Sequence, residues 1–214
     1  MFIPKQFRIE EKKEWKKIVE TIQFGVLIIF SEQRFISSHL PLLWEENGEQ
    51  IILKGHISKA NELWKHAIPT NPAMVIFQGA HTYIHPGWYD TKKKTGKAVP
   101  TWNYQILHLH GHVQQHNEPE WIIDHLEKLV SRNEHNQKEP WKISDAPQDY
   151  ITGLSKAIVG LEFNVTKVEC SLKMNQHHSK ENRLGVIDGL KNSLDFRDQE
   201  VANIMEQLEL GSKP

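Results

Sequence analysis

Between residues 26 and 113 one short apolar or alternating run follows another, and most of them are not separated by a helix long enough to carry the chain back across a sheet. Val26-Leu27-Ile28-Ile29-Phe30, admitted by Gly25, suits a buried strand. Arg34 to Trp44 and Gln50 to Ile57 read as further strands, joined by the turn residues Glu45-Glu46-Asn47-Gly48. Met74 to Phe77 and Tyr104 to Val113 bring the set to at least five, with a short helix expected from Lys59 to His66. Parallel strands need a crossover of a dozen or more residues, so this spacing favours an antiparallel sheet or barrel.

Helices frame that sheet. Residues 8–23 place Trp15, Ile18, Val19 and Ile22 at helical spacing, and Glu118 to Arg132 carries Trp121, Ile122, His125, Leu126 and Leu129 on one stripe. Pro140, Trp141 and Pro147 punctuate a loop before a short helix, Gln148 to Ala157. Ile158 to Met174 is a long strand whose apolar alternation slips by one residue between Val165 and Val168, the mark of a bulge or kink. Two closing helices run roughly from Lys180 to Leu194 and around Val201, Ile204, Met205 and Leu208. The architecture expected is α+β: one domain over residues 1–214, an antiparallel barrel with peripheral helices, and 180–214 forming a C-terminal helical pair packed on it.

Composition narrows the function. Lys+Arg 26 against Asp+Glu 27 gives a net charge of -1, which offers no global field for nucleic acid. The acidic tail (Asp195, Asp198, Glu200, Glu206 and Glu209 against Arg197 and Lys213) argues against reading the last two helices as a helix-turn-helix. The single cysteine, Cys170, lies in an apolar alternating run and reads as a core thiol, with no cysteine cluster for zinc. The N-terminus lacks a continuous apolar stretch after a basic start, and Val26 to Phe30 is far too short to span a bilayer. A cytoplasmic protein without a membrane partner is the expectation.

Several constellations could carry chemistry. Aromatics beside turn formers (Tyr83, Pro86, Gly87, Trp88, Tyr89), a loop with Lys92, Lys93, Lys94 and Lys97, and Pro100-Thr101-Trp102-Asn103-Tyr104 suit either the wall of a flat-ligand pocket or a hydrophobic corner. Ser37-Ser38-His39 offers hydroxyl and imidazole hydrogen bonds along a strand, or simply a half-exposed face. Lys54-Gly55-His56-Ile57-Ser58-Lys59-Ala60-Asn61 leads a strand into a helix start with Ser58 as its expected cap; the helix start and Lys59 suit a phosphate, or the segment is simply a capped helix, the commoner case. His108, His110 and His112 share one strand face; they suit a metal or plain solvent exposure, and no metal site is assigned. Lys173 to Arg183 gathers cations, amides and hydroxyls where the long strand gives way to a helix capped by Ser179.

Taken in order, FIPKQF (Phe2–Phe7), SHLPL (Ser38–Leu42), LKGHISKAN (Leu53–Asn61), VIFQGAHTYIHPGWY (Val75–Tyr89), VPTWNY (Val99–Tyr104) and KMNQHHSKENRLGV (Lys173–Val186) resemble the PaiB family, the FMN-binding negative transcriptional regulators. The resemblance covers nearly the whole chain. It implies a split β-barrel of the FMN-binding type, a homodimer with flavin at the subunit interface, and a role in restraining degradative enzyme production and sporulation, through DNA or a regulatory protein partner. Carried over by motif, Ser37, Ser38, His39 and Leu40 would meet the flavin, and His56, Ser58, Lys59 and Asn61 would lie at its phosphate end. Trp102, Asn103 and Tyr104 would line the pocket, while Lys173, Gln176 and Arg183 would reach in from the polar loop. Two positions depart from the family pattern: Gly79-Ala80 replaces a glycine-proline step and Gly87 replaces a serine, neither with loss of charge. The same fold serves FMN-dependent oxidoreductases, so an enzyme is the alternative, although no catalytic acid or base stands out.

Overall fold

The structure is a computed structural model that describes residues 1–211, so Lys213 lies outside the described residues. In chain order it contains α1 (Lys12–Ile22), β1 (Phe24–Ser31), β2 (Arg34–Pro41), β3 (Leu43–Asn47), β4 (Gln50–Ser58), β5 (Ala73–Ile84), α2 (Asp90–Thr95), β6 (Thr101–His116), α3 (Pro119–Glu134), α4 (Gln148–Ser155), β7 (Ile158–Lys173), α5 (Lys180–Lys191) and α6 (Phe196–Gly211). The strands form one seven-stranded sheet in the order β2-β1-β5-β6-β7-β4-β3. The β1–β2, β1–β5, β3–β4 and β4–β7 pairings are antiparallel, as the short connections require.

Contacts gather in two compact units. One comprises Lys16–Phe77 and His108–Val168, the other Met1–Trp15, Gln78–Leu107 and Glu169–Pro214. The first holds the β1–β2 and β3–β4 hairpins. Residue 32 and residue 33 turn the first hairpin with both φ positive (Glu32 50°, Gln33 60°), the twist that a tight two-residue connection needs. In the second hairpin Asn47 still pairs with Gln50, so the reversal falls two residues later than the sequence suggests, with positive φ at Gly48. Inward residues Leu27, Ile29, Leu40, Leu53, Val75, Phe77, Leu109, Leu161 and Phe163 are at most 2% exposed and fill this unit's core. On the helix α3, Ile122 and His125 are buried, at 3% and 1% exposure.

The second unit has its own core, in which Ile84, Tyr89, Leu172, Met174, Val186, Leu190, Val201 and Met205 pack together. Cys170 is buried as expected, and burial pushes its thiol up to about 12, so it is inert at neutral pH.

Three expectations are corrected. The lysine-rich segment is not a loop but helix α2, ended by Gly96 at φ 75°. The helix after β4 is a five-residue 3₁₀ segment, Glu62–His66, and its cap is Asn61 rather than Ser58: Asn61 Oδ1 accepts from Leu63 N at 3.1 Å. That segment is too short to supply a helix field for a phosphate, so any anion there depends on side chains. In β7, as expected, the buried apolar side chains change parity, from odd (Val159, Leu161, Phe163, Val165) to even (Cys170, Leu172), although Ser171 between the last two is also buried.

Candidate functional site

Strand alternation divides the Ser-Ser-His run. In β2, Phe35, Ser37 and His39 pair with Phe30, Ile28 and Val26, and antiparallel partners project to the same side. Met74 and Ile76 of β5 join that side opposite Ile28 and Val26. The result is an apolar sheet face with Ser37 and His39 set among phenylalanines that remain well exposed (Phe24 58%, Phe30 43%, Phe35 76%). Phe24 stacks on His39 with ring centroids 6.2 Å apart, and Phe30 meets Phe35 at 5.1 Å. Ser38 and Leu40 point the other way. Leu40 is a core residue, 2% exposed, while Ser38 Oγ accepts from Asn61 Nδ2 at 2.9 Å. The structure thus joins two residues from separate motifs, Ser38 and Asn61, and Lys59, two residues before Asn61, is exposed.

On β4 the side chains alternate again. Ser58 Oγ accepts from Ala60 N at 3.2 Å and so steadies the bend that presents Lys59. His56 turns onto α3, where its Nδ1 lies 3.1 Å from Nε2 of His125. Both imidazoles are held below the ordinary range by burial, His125 to about 4, so both are neutral at pH 7. Trp121 stacks between His125 (5.4 Å) and His116 (4.5 Å), and Lys54 lies 5.6 Å from the Trp121 ring centroid.

The remaining predicted residues belong to the other unit. Trp102 is 48% exposed, stacked on His81 at 6.0 Å and edge-on to Tyr83 at 6.4 Å. Asn103 is fully buried and reaches Met205 Sδ through Nδ2 at 3.6 Å, leaving its Oδ1 without a partner. Tyr104 is half-buried. Lys173 Nζ donates to Thr101 Oγ1 at 2.6 Å, and partial burial lowers its pKa. Gln176 braces the chain after β7, accepting from Met174 N at 2.6 Å and donating to Leu172 O at 2.5 Å. Arg183 is committed elsewhere: it pairs with Glu209 and donates to His178 O at 2.6 Å.

Around Lys173 lies a cavity of about 560 Å³ whose walls include Tyr89, Thr91, Lys97, His177 and His178. Tyr89 and His178 stack at 4.9 Å and 18°. Burial, and then the Lys173 charge, lowers the pKa of His177; for His178 burial is again the largest cause, followed by His177 and Lys173. This makes a slot with aromatic walls and ammonium groups at its edge, suited to a planar anion. Sequence reading offered Tyr89 as a wall of a flat-ligand pocket or part of a hydrophobic corner, and His177 and His178 only as members of the polar run from Lys173 to Arg183. The bend comes from Asn175, buried with φ 60°, whose Nδ2 donates to the Tyr89 hydroxyl at 3.1 Å. His108 and His110 are half-buried with centroids 6.5 Å apart, and His112 is exposed.

An antiparallel seven-stranded sheet in this strand order with peripheral helices is an α+β fold of the split β-barrel type. By fold the chain is similar to the FAD and heme binding protein from Mycobacterium smegmatis, with TM-score 0.58 and 10% identity over 83% of this chain and 78% of that one. It is also similar to a flavocytochrome from Azotobacter vinelandii, with TM-score 0.57 and 10% identity over 78% and 70% of the two chains. Residues 1–167 match the family model described as "Putative FMN-binding domain", and the chain belongs to that family, whose cofactor is FMN. The relative named "Protease synthase and sporulation protein PAI 2", from Bacillus subtilis, is 26% identical over 96% of this chain and 97% of its own length. An uncharacterized protein from Emericella nidulans is 29% identical over 80% and 81% of the respective chains.

The residues present fit FMN. A dianionic phosphate needs positive charge and several donors, and Lys59, the Asn61 amide and the Ser38 hydroxyl are a cation and two donor groups of that kind, without a carboxylate in the set. Glu62, next in sequence, is occupied by Lys65 at 2.5 Å. No helix among the described residues is long and apolar enough to cross a membrane.

Proposed function

We propose that this chain is a PaiB-type negative regulator that acts as a cytoplasmic homodimer with FMN held by residues of both subunits. Phosphate binding falls to Lys59, Asn61 and Ser38 of one subunit. Lys173 of the other meets the polar edge of the ring system, Gln176 holds the chain after β7 that carries it, and Trp102 and Tyr104 wall the ring. When bound, FMN supplies a reversible acceptor for hydride or single electrons.

One observation carries this reading. The outer face of β1, β2 and β5 is apolar, bears Ser37 and His39 at its centre, and leaves Phe24 58% and Phe35 76% exposed. A monomer seldom keeps such a patch open, and a second copy would cover it. The regulatory part is supported by the Bacillus subtilis relative, which aligns nearly end to end with this chain. Its test is replacement: expressed in Bacillus subtilis lacking that protein, this chain should return secreted protease and spore counts to parental levels, and no change in either would refute the role.

Regulation is proposed to be indirect. The chain has a net charge of -1, and Lys94 of the cationic helix α2 is already paired with Asp90 at 2.7 Å. Tight duplex binding that falls steeply from low to physiological salt would show the opposite. A second reading, an FMN-dependent oxidoreductase, draws on the cavity of about 560 Å³ beside Lys173, large enough for a substrate. Rapid anaerobic bleaching of the flavin by NADH or NADPH would favour it.

A further inference from the structure

A second cavity, in the unit that holds α3 and α4, has no part in this flavin arrangement. It measures about 380 Å³ and is lined chiefly by Leu126, Val130, Trp141, Ile151 and Leu154. Its polar members are His56, Ser58 and Ser155. Ser155 Oγ donates its proton to Thr152 O at 3.1 Å, while Ser58 Oγ accepts from Ala60 N and belongs to an exposed residue whose own proton is open to water. His56 is the one with a ring nitrogen to spare.

The state of that nitrogen follows from its neighbour. His125 is 1% exposed, its Nε2 faces His56 Nδ1 at 3.1 Å, and its Nδ1 is enclosed without a partner. A buried N–H without an acceptor is rarer and costlier than a buried lone pair without a donor. The proton of His125 therefore sits on Nε2 and is donated to His56 Nδ1. His56 then carries its own proton on Nε2, outside that pair. No charged side chain lines the cavity. An apolar chamber of this volume with one fixed neutral donor has the make-up of a small-molecule site.

We propose that the α3–α4 cavity binds a small, uncharged, largely apolar molecule whose carbonyl oxygen accepts a hydrogen bond from His56 Nε2–H. A carboxylate is disfavoured, because no cation lines the chamber to offset its desolvation. An amine is disfavoured because the group offered is a donor. The family resemblance placed His56 and Ser58 at the flavin's phosphate end, but here His56 turns onto α3 and the cavity uses none of the side chains proposed above to hold FMN, so this small-molecule pocket does not depend on that proposal.

Acetophenone is the probe, with ethylbenzene as the isostere lacking the acceptor and benzoate as the charged analogue. Titrated into the full chain as purified and followed by the ring nitrogens of ¹⁵N-histidine-labelled protein, acetophenone should bind saturably with Kd on the order of 1 mM. It should move the His56 Nε2 resonance and bind roughly fivefold more tightly than ethylbenzene, as one neutral hydrogen bond allows. His56→Phe should erase that preference. Leu154→Trp, at a position 51% exposed and so tolerant of bulk, should block all three ligands while leaving flavin content unchanged. Absence of saturable binding, equal affinity for ethylbenzene, tighter binding of benzoate, or binding that survives Leu154→Trp would each overturn the assignment.

Discussion

A histidine on the buried stripe of an amphipathic helix is tolerated if it stays neutral and finds a partner, and His125 does both. Its folded pKa, about 4, lies below the ordinary 6.5, chiefly through burial, with the neighbouring His56 second. The unfolded chain therefore takes up a proton below pH 6.5 that the folded chain refuses down to about 4. Stability must fall as pH drops through that window, by roughly 3 kcal/mol in total and about 2 kcal/mol by pH 5. Urea midpoints measured between pH 7 and 5 should fall accordingly, and His125→Gln, which does not titrate, should flatten that slope. The sequence shows His125 among Trp121, Ile122 and Leu126 but not its partner, because β4 comes against α3 only through the tertiary fold. Lys173 is a similar case: it is legible as a cation in a polar run, but its depressed pKa comes from burial. On the flavin reading, Lys173→Met and Lys59→Gln should each weaken FMN binding about tenfold or more, since a charge-assisted hydrogen bond contributes about 1.5–3 kcal/mol. Fluorescence titration of flavin-free protein checks this, and unchanged affinity in both variants would move the phosphate elsewhere.

At the scale of elements, period and turn chemistry were readable and contact-dependent features were not. The continuous apolar run Val26–Phe30 and the run Gln50–Ile57 after the turn residues located β1 and β4 closely; one face of each is buried, so a register slip would expose it. Met74–Phe77 marks only part of β5, because beyond Phe77 the strand carries polar and small residues (Gln78, Gly79, Ala80, His81) that have no apolar period. The cationic stretch hid α2, whose cohesion comes from Lys94–Asp90, and from Thr91, whose N–H and Oγ1 both bond Asn182 of α5. Arg183 looked available for an anion, yet it ties α5 to Glu209 of α6. The docking of α5 also depends on two glycines: a β-carbon at Gly189 would fall on the Trp88 ring and one at Gly185 on the Trp88 carbonyl. Gly189→Ala should therefore push Trp88 away and cost about 1–3 kcal/mol through overpacking. A lower urea midpoint with a shifted tryptophan emission is the expected outcome. An unchanged midpoint would mean that the indole moves aside freely.

For the whole molecule, the question is what covers the outer face of β1, β2 and β5. Val26, Ile28, Met74 and Ile76 are only half-buried there, and three phenylalanines project around Ser37 and His39. If that face is the seam between two copies, a single charge at its centre is desolvated twice by symmetry, since the same patch appears on both sides of a two-fold contact. Phe35 is 76% exposed in the single chain, so Phe35→Asp should leave the monomer's fold and its far-ultraviolet spectrum intact. Sedimentation should then report the mass of one chain for the variant and of two for the parent. Because the flavin is proposed to draw on both subunits, its affinity should fall in step with dimerisation and recover at protein concentrations that restore the dimer. A parent that sediments as one chain at every concentration would refute the seam. A variant that dimerises normally but loses FMN would show instead that Phe35 acts on the flavin directly. High salt should not dissociate the parent, because the contact is apolar and has little charge to screen.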